Sequence, residues 1–441
     1  FKYNLGRFLR HNQSVKMDVE PQGLKIASFQ DHILQLKSSI SKNRKTIASL
    51  KDRISRSNNT IKKLKIRNKI SAKNMAINHY LKFAQNVDMR ASDCKADIIV
   101  GHGVQSLPAC ARLHEVNGGK YICDVIETPS FGARASVNKW DPTVLKMVDY
   151  AMVGYLSDAD ALITVGWTLG ATLKKYHDDI RVIPNYRKYE KFVTKQTIRE
   201  EFKIKQTDRL LICISTIASG FEDLLHAMKL LGDTIHLVVI GTLVPASYQS
   251  HIVKLIDDLE LGAQVHIREP VPYPELLETI SIGDLGIIVR DKTITNNYVS
   301  LPNRVFDYIS AGLPIIAPDI PDIARIIHQY DCGITIEGTS PDDWVQGIRD
   351  GLKDQEIYHK NALGAAKICS WQSLEESQLH VAFDNTKSVA FVGFNNISKN
   401  NRTMRMATSL VQMGVSVKVI APMDDTDTLP DGVEKVSVRL G

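Results

Sequence analysis

Ser300-Leu-Pro-Asn-Arg-Val-Phe-Asp-Tyr-Ile-Ser-Ala-Gly-Leu-Pro-Ile-Ile-Ala317 reads as loop, helix, tight turn and buried strand. Pro302 suits a first helical turn, where a missing N–H costs nothing. Val305, Tyr308 and Ile309 recur at helical spacing, so one face would pack on a sheet. Gly312 stands where a helix ends and φ turns positive. Pro314 to Ala317 is a short all-apolar run, the mark of a strand covered on both faces. Arg304 and Asp307 interrupt this apolar plan one turn apart, near a helix N-terminus that favours anions. A guanidinium suits a phosphate and a carboxylate suits a pair of ribose hydroxyls. The plainer reading of the two is a solvated surface ion pair.

Outward from this stretch, apolar runs alternate with amphipathic ones, the pattern of parallel sheets with helical crossovers. Upstream, strands are predicted at Ile98–Val100, Tyr121–Val125 and Ala161–Thr164, with a helix beginning at Asp141-Pro142. A charged linker over 186–207 carries one helix. A second unit follows, with strands at Leu210–Ile214, His236–Ile240, Gln264–Ile267, Leu285–Val289 and Gly333–Ile336. Its first strand leads into an uncharged loop, Ser215 to Gly220. His102 and Arg290 both fall at the carboxyl ends of predicted strands, where α/β proteins bind ligands.

The 300–317 stretch resembles the nucleotide-sugar motif of retaining GT-B glycosyltransferases of the family-4, glycogen-synthase-like type, written Pro-x-Lys/Arg-x-x-Glu-Tyr-x-x-x-Gly-x-Pro. The resemblance runs from about Ala96 to Trp371. Gly101-His102-Gly103, the strand ending in Ile126-Glu127, Val182-Ile183-Pro184-Asn185 and the Ser370-Trp371 start of a returning helix all have counterparts there. It implies an α/β fold of two Rossmann-like domains and sugar transfer from a nucleotide-diphosphate sugar to a saccharide or lipid-linked acceptor, in surface polysaccharide or lipopolysaccharide synthesis. Metal and other cofactors are not expected, and configuration is retained. Arg290, Arg304, the backbone N–H groups of Ser300 and Leu301, and the Gly220 loop would hold the diphosphate. Asp307 would hold the ribose, the base would lie near Arg268, and His102 and Glu127 would face sugar and acceptor. Three departures stand out. The family's basic pair after the first donor-domain strand is missing, Val299 replaces its first glutamate, and Asp307 shortens the second. They make a non-catalytic lobe that binds nucleotide sugar, or scaffolds a partner transferase, the alternative. A sugar-nucleotide epimerase fits less well, because few His and Glu residues crowd one site.

The chain has 441 residues, 44% apolar and 24% charged, and a net charge of +6. That charge is uneven. Residues 31–75 hold thirteen Lys and Arg against two Asp, a surplus of +11 that leaves −5 elsewhere. In the same stretch Ile33, Ile40, Ile47, Ile54 and Ile61 form an a series. Leu36, Asn43, Leu50, Ser57 and Leu64 follow at d, so the spacing predicts a long helix and a parallel two-stranded coiled coil. The cationic faces suggest contact with anionic membrane, worth about 1 kcal/mol per charge near the surface. A solvated basic face is the plainer reading. Nucleic acid is not an expected partner. Six scattered cysteines without metal-ligand spacing, no signal-peptide pattern and no membrane-length apolar run read as a cytoplasmic protein, peripheral at the inner face of the membrane.

The expected organisation is an unassigned basic segment (1–25), a basic coiled-coil helix (26–75), an incomplete acceptor domain (76–190), a donor domain (191–370) and a crossover helix (371–386). Residues 387–441 then begin afresh as β-α-β-β. They resemble the start of a GT-B N-terminal domain, which the region before residue 96 lacks. Either a second transferase begins there, which the missing initiator Met and the end at Gly441 favour, or this segment completes the first domain in space. Without such a cover, the edge at Ile98–Val100 invites mispairing.

Overall fold

Short apolar runs with no polar alternation become strands covered on both faces, and strands near the middle of the sheets, such as Ile98–His102 and Ile315–Pro318, are of that kind. A computed structural model describes residues 75–127, 153–217, 219–374, 378–379 and 382–439. The basic segment 1–25, the heptad stretch Ile33–Leu64 and the start of the helix expected at Asp141 lie outside the described residues. The unit Ile77–Gly441 holds two parallel sheets.

The chain enters through α1 (Met75–Ala91), β1 (Ile98–His102), α2 (Leu107–Asn117), β2 (Lys120–Val125), β3 (Ala161–Thr164), α3 (Trp167–Leu173) and β4 (Ile180–Val182). It then builds α4 (Thr197–Glu201), β5 (Arg209–Ile217), α5 (Glu222–Leu231), β6 (Ile235–Leu243), α6 (Ala246–Asp258), β7 (Val265–Arg268), α7 (Leu276–Ile280) and β8 (Leu285–Ile287). Next come α8 (Thr295–Val299), α9 (Arg304–Ala311), β9 (Ile315–Pro318), α10 (Pro321–Tyr330), β10 (Gly333–Ile336), α11 (Pro341–Lys353) and α12 (Gln355–Ile368). It returns through α13 (Trp371–Leu374) to β11 (Ser388–Gly393), α14 (Asn401–Gln412), β12 (Ser416–Ala421) and β13 (Val433–Ser437).

The first sheet has seven strands in the order β13-β12-β11-β1-β2-β3-β4. Its central strand, β1, pairs in parallel with β2 on one side and β11 on the other, Ile98 facing Lys120 and Val389. Residues 388–437 are thus three strands of this sheet, and the edge at Ile98–Val100 is covered. Side chains alternate between the two faces of the sheet. Ile98, Val100, Val389 and Phe391 join Trp371, Phe383, Met406 and Leu410 on one face. Ile99, Ala390 and Val392 join Phe83, Val87, Leu107 and Leu113 on the other.

The second sheet has six strands in the order β10-β9-β8-β5-β6-β7, all parallel. Helix α9 packs against it through Val305, Tyr308 and Ile309, all fully buried. The Tyr308 hydroxyl accepts from the Ile214 N–H at 2.8 Å and lies 3.0 and 3.1 Å from the Ile287 and Ile212 carbonyls. It thereby ties β5 to β8. A Cβ at Gly286 would come within 2.6 Å of the Tyr308 ring, so glycine is required there for the ring to lie flat on β8. Gly312 ends α9 in the left-handed region at φ 71°.

One difference from the sequence reading concerns a helix end. Pro302 lies before the helix rather than in its first turn, because Asn303 is the cap and α9 begins at Arg304. Beyond Trp371–Leu374, Gln378, Leu379 and Ala382 are also helical, on the stretch where the returning helix was expected.

Candidate functional site

Parallel strands end at one edge of each sheet, and the loops there leave a cleft of about 560 Å³ between the two domains. From the first domain, His102, Glu127 and Asn185 line it, joined by Asn400 and Arg402. From the second come the end of β5 (Ser215, Thr216), Gly241 and Pro270, together with Arg290, Asn296 and the run Ser300 to Arg304 with Asp307.

His102 ends β1. Its Nδ1 lies 3.1 Å from Asp124 Oδ2 and its Nε2 lies 3.0 Å from Asn400 Nδ2. The Asn400 amide cannot be turned round without loss, since its Oδ1 caps α14 by accepting from the Thr403 N–H at 3.0 Å. Asn400 therefore donates to Nε2, and the His102 proton sits on Nδ1, toward Asp124. Asp124 is fully buried and also accepts Arg402 Nε and Nη2 at 3.0 Å. Burial opposes its charge, but Arg402 and His102 prevail and hold its carboxyl well below the usual range. Arg402 Nη1 donates to the Ile183 carbonyl at 2.7 Å.

Arg304 and Asp307 do not pair with each other. Arg304 Nη1 donates to Ser215 Oγ at 2.6 Å, at the end of β5. Asp307 Oδ1 accepts from Arg187 Nη1 at 3.0 Å, a contact between buried side chains. Burial pushes the Asp307 carboxyl up, against the pull of Arg187. Arg187 lies over the Tyr273 ring at 4.0 Å and donates to the Tyr273 carbonyl. Arg290 Nη2 donates to Ser300 Oγ at 2.8 Å and to Asn297 Oδ1 at 3.1 Å. Burial first, and the nearby Arg304 second, push Arg290 down to about 9, so it is still a cation at neutral pH, and an uncomfortable one. Neither Arg290 nor Arg304 meets a carboxylate among the described residues.

The structure brings His102, Glu127, Arg290, Ser300, Leu301, Arg304 and Asp307 to one cleft. Gly220 and Arg268 are not among the residues lining it. Arg268 Nε instead pairs with Glu201 at 3.1 Å, on the edge strand β7. The Ser300 N–H, expected to face phosphates, is taken by the Asn296 carbonyl at 3.2 Å. Ser300 acts through its hydroxyl, which accepts from Arg290 and donates to the same carbonyl at 2.5 Å.

Sequence reasoning missed Arg187, Asn296, Asn400 and Arg402. Arg187 lies 120 residues from Asp307 and Arg402 lies 278 from Asp124, so no local spacing joins them. A polar loop leading into a helix that opens with Arg402 was the available signal.

The two domains are tied beside the cleft. Asp322, in the first turn of α10, accepts from the Thr168 N–H at 3.1 Å and its hydroxyl at 2.7 Å. It thus caps α3 of the other domain. Arg325 lies 4.3 Å over the Trp167 ring, and Asn185 donates to Asn303 Oδ1 at 2.7 Å.

Two Rossmann-like domains facing each other across a cleft are the GT-B fold. Residues 194–367, within the second domain, match the family described as Glycosyl transferases group 1. D-inositol 3-phosphate glycosyltransferase 1 of Catenulispora acidiphila is 25% identical over 103 residues, 23% of each chain, so the match spans under a quarter of that relative's length. Among solved structures, Anabaena HepE in complex with UDP superposes with a TM-score of 0.54 at 12% identity. That match covers 68% of this chain and 81% of HepE. Sucrose-phosphate synthase from Thermosynechococcus elongatus gives 0.52 at 15%, covering 65% and 73%. At these identities the likeness is one of fold.

Proposed function

We propose that the protein transfers a sugar from a nucleotide-diphosphate sugar to a saccharide or lipid-linked acceptor, with retained configuration and without a metal. One observation carries this reading: Arg290 and Arg304 face the interdomain cleft beside the N-terminus of α9, and neither forms an ion pair among the described residues. Such a site favours a dianion. In glycosyl transfer, negative charge grows on the departing diphosphate, and preorganised cations there lower the barrier. Arg304, braced by Ser215, and Arg290, braced by Ser300, take that role. Asp307, fixed by Arg187, holds the ribose. His102 and Glu127 face the sugar and the acceptor from the opposite domain. HepE, solved with UDP and with UDP-glucose, makes uridine nucleotides natural first probes.

Isothermal titration with UDP, GDP and ADP tests the site. Arg304→Ala should weaken the nucleotide that binds by about 10- to 100-fold, the loss expected for a charge-assisted phosphate contact of about 1.5–3 kcal/mol. Unchanged affinity in Arg304→Ala would refute the assignment. A second reading, a lobe that binds nucleotide sugar without catalysis, is favoured by Val299, which is apolar and buried against the first domain. Transfer of labelled sugar to any acceptor, abolished in Arg304→Ala, decides for the enzyme.

A further inference from the structure

We infer that Asn296 is a specificity-determining residue whose side-chain amide hydrogen-bonds a hydroxyl group of the donor sugar. The inference rests on the reading just given and names how the sugar itself is recognised.

Asn296 and Asn297 are consecutive on the single turn of α8, yet they differ. The Asn297 amide is fully used, its Oδ1 accepting from Arg290 at 3.1 Å and its Nδ2 donating to the Asp291 carbonyl at 3.0 Å. That asparagine builds the loop. The Asn296 backbone is pinned just as firmly, because its carbonyl takes both the N–H and the hydroxyl of Ser300. Its side chain is not: Oδ1 is enclosed, with no hydrogen-bond partner, and the residue lines the cleft. Buried polar atoms are nearly always paired, and a vacancy in a binding cleft marks a ligand's place.

A second unpartnered atom belongs to another residue of the same cleft. Arg290 Nε is buried and without a partner, while its Nη2 is committed to Asn297 and Ser300. An acceptor and a donor on residues of one cleft suit a hydroxyl, which both gives and takes a hydrogen bond. No carboxylate serves here, since Val299 on the same turn points into the core of the first domain. A neutral amide suits a neutral hydroxyl rather than an ammonium group. The position also fits a sugar, because Asn296 shares the cleft with His102 and Glu127 of the opposite domain.

Isothermal titration of the full chain and of Asn296→Ala and Asn296→Leu, using UDP, GDP, ADP and their glucose and mannose conjugates, tests this. Both variants should bind the nucleotide sugar roughly 3- to 10-fold more weakly, the loss of one neutral hydrogen bond. They should bind the parent nucleoside diphosphate within about 2-fold of the wild type. Their melting temperatures should hold or rise, since each removes a buried unpaired group. An equal loss for nucleotide and nucleotide sugar, no loss for either, or a fall in melting temperature with loss of both overturns the inference while leaving the nucleotide site standing. A wild-type chain that binds no nucleotide overturns both.

Discussion

Arg290 is the residue at which structure and chemistry are most at odds. Its cation is enclosed, repelled by Arg304, and matched only by neutral oxygens of Asn297 and Ser300. Such an arrangement costs stability in the empty protein and returns it when an anion arrives. Arg290→Gln should therefore raise the melting temperature of the ligand-free protein, by roughly 1–3 °C for a modest gain in a domain of this size. The same variant should lose most nucleoside diphosphate affinity. Calorimetry with and without nucleotide reads both effects, and a less stable apo variant would show that Arg290 holds the fold rather than the ligand. Arg304 and Asp307 teach a related lesson. The sequence placed them on one helical turn, and that much is seen, but their partners Ser215 and Arg187 lie 89 and 120 residues away. Spacing reports which residues share a face; it cannot report which distant side chain meets them there.

At the scale of elements, strands were the most legible part. Runs such as Ile98–Val100 and Pro314–Ala317 have no polar alternation, and only a doubly covered strand tolerates that. Helix ends were less legible, because Asn303 and Pro302 are both good starters and the geometry of the cap decides between them. Arg268 illustrates another gap: it ends a strand, as Arg290 nearly does, but its strand is at the sheet edge and Glu201 is at hand. The join between β2 and α14 carries a prediction. Asp124 and Arg402 form a pair with almost no exposure, bridging these two elements. Removing one partner strands the other, so Asp124→Asn should cost about 3–5 kcal/mol. The carboxyl is depressed in the folded state, so its stabilisation is full above the ordinary aspartate range and fades as pH falls through the lower folded value. Acid titration of the wild type should show this loss, and Asp124→Asn should lack it. Equal acid sensitivity in the two proteins would assign the effect to other carboxylates.

At the scale of the whole molecule, the first sheet draws on two stretches separated by the entire second domain, residues 98–182 and 388–437. Deleting 387–441 would strip β11, β12 and β13 from β1 and bare its central edge. The shortened chain should aggregate, and supplying 387–441 as a separate polypeptide should restore solubility and the cleft, which needs Asn400 and Arg402. Light scattering and nucleotide titration check this. A shortened chain that stays monomeric and binds nucleotide normally would show that the segment contributes nothing to the site. From sequence the segment was recognisable as β-α-β-β and Ile98–Val100 as the edge it could cover, but the register of that pairing was not, because it leaves no local signature.

That arrangement also orders events in time. On a ribosome, β1 emerges long before the strand that will lie beside it, and the intervening Rossmann unit is complete while β1 still waits. The first-formed half must stay unsatisfied until residues 388–437 arrive, and the intervening stretch takes roughly 15–60 s at about 5–20 residues per second. Maturation of the nascent chain is thus gated by that later segment, and the interval between is when a chaperone has most to offer.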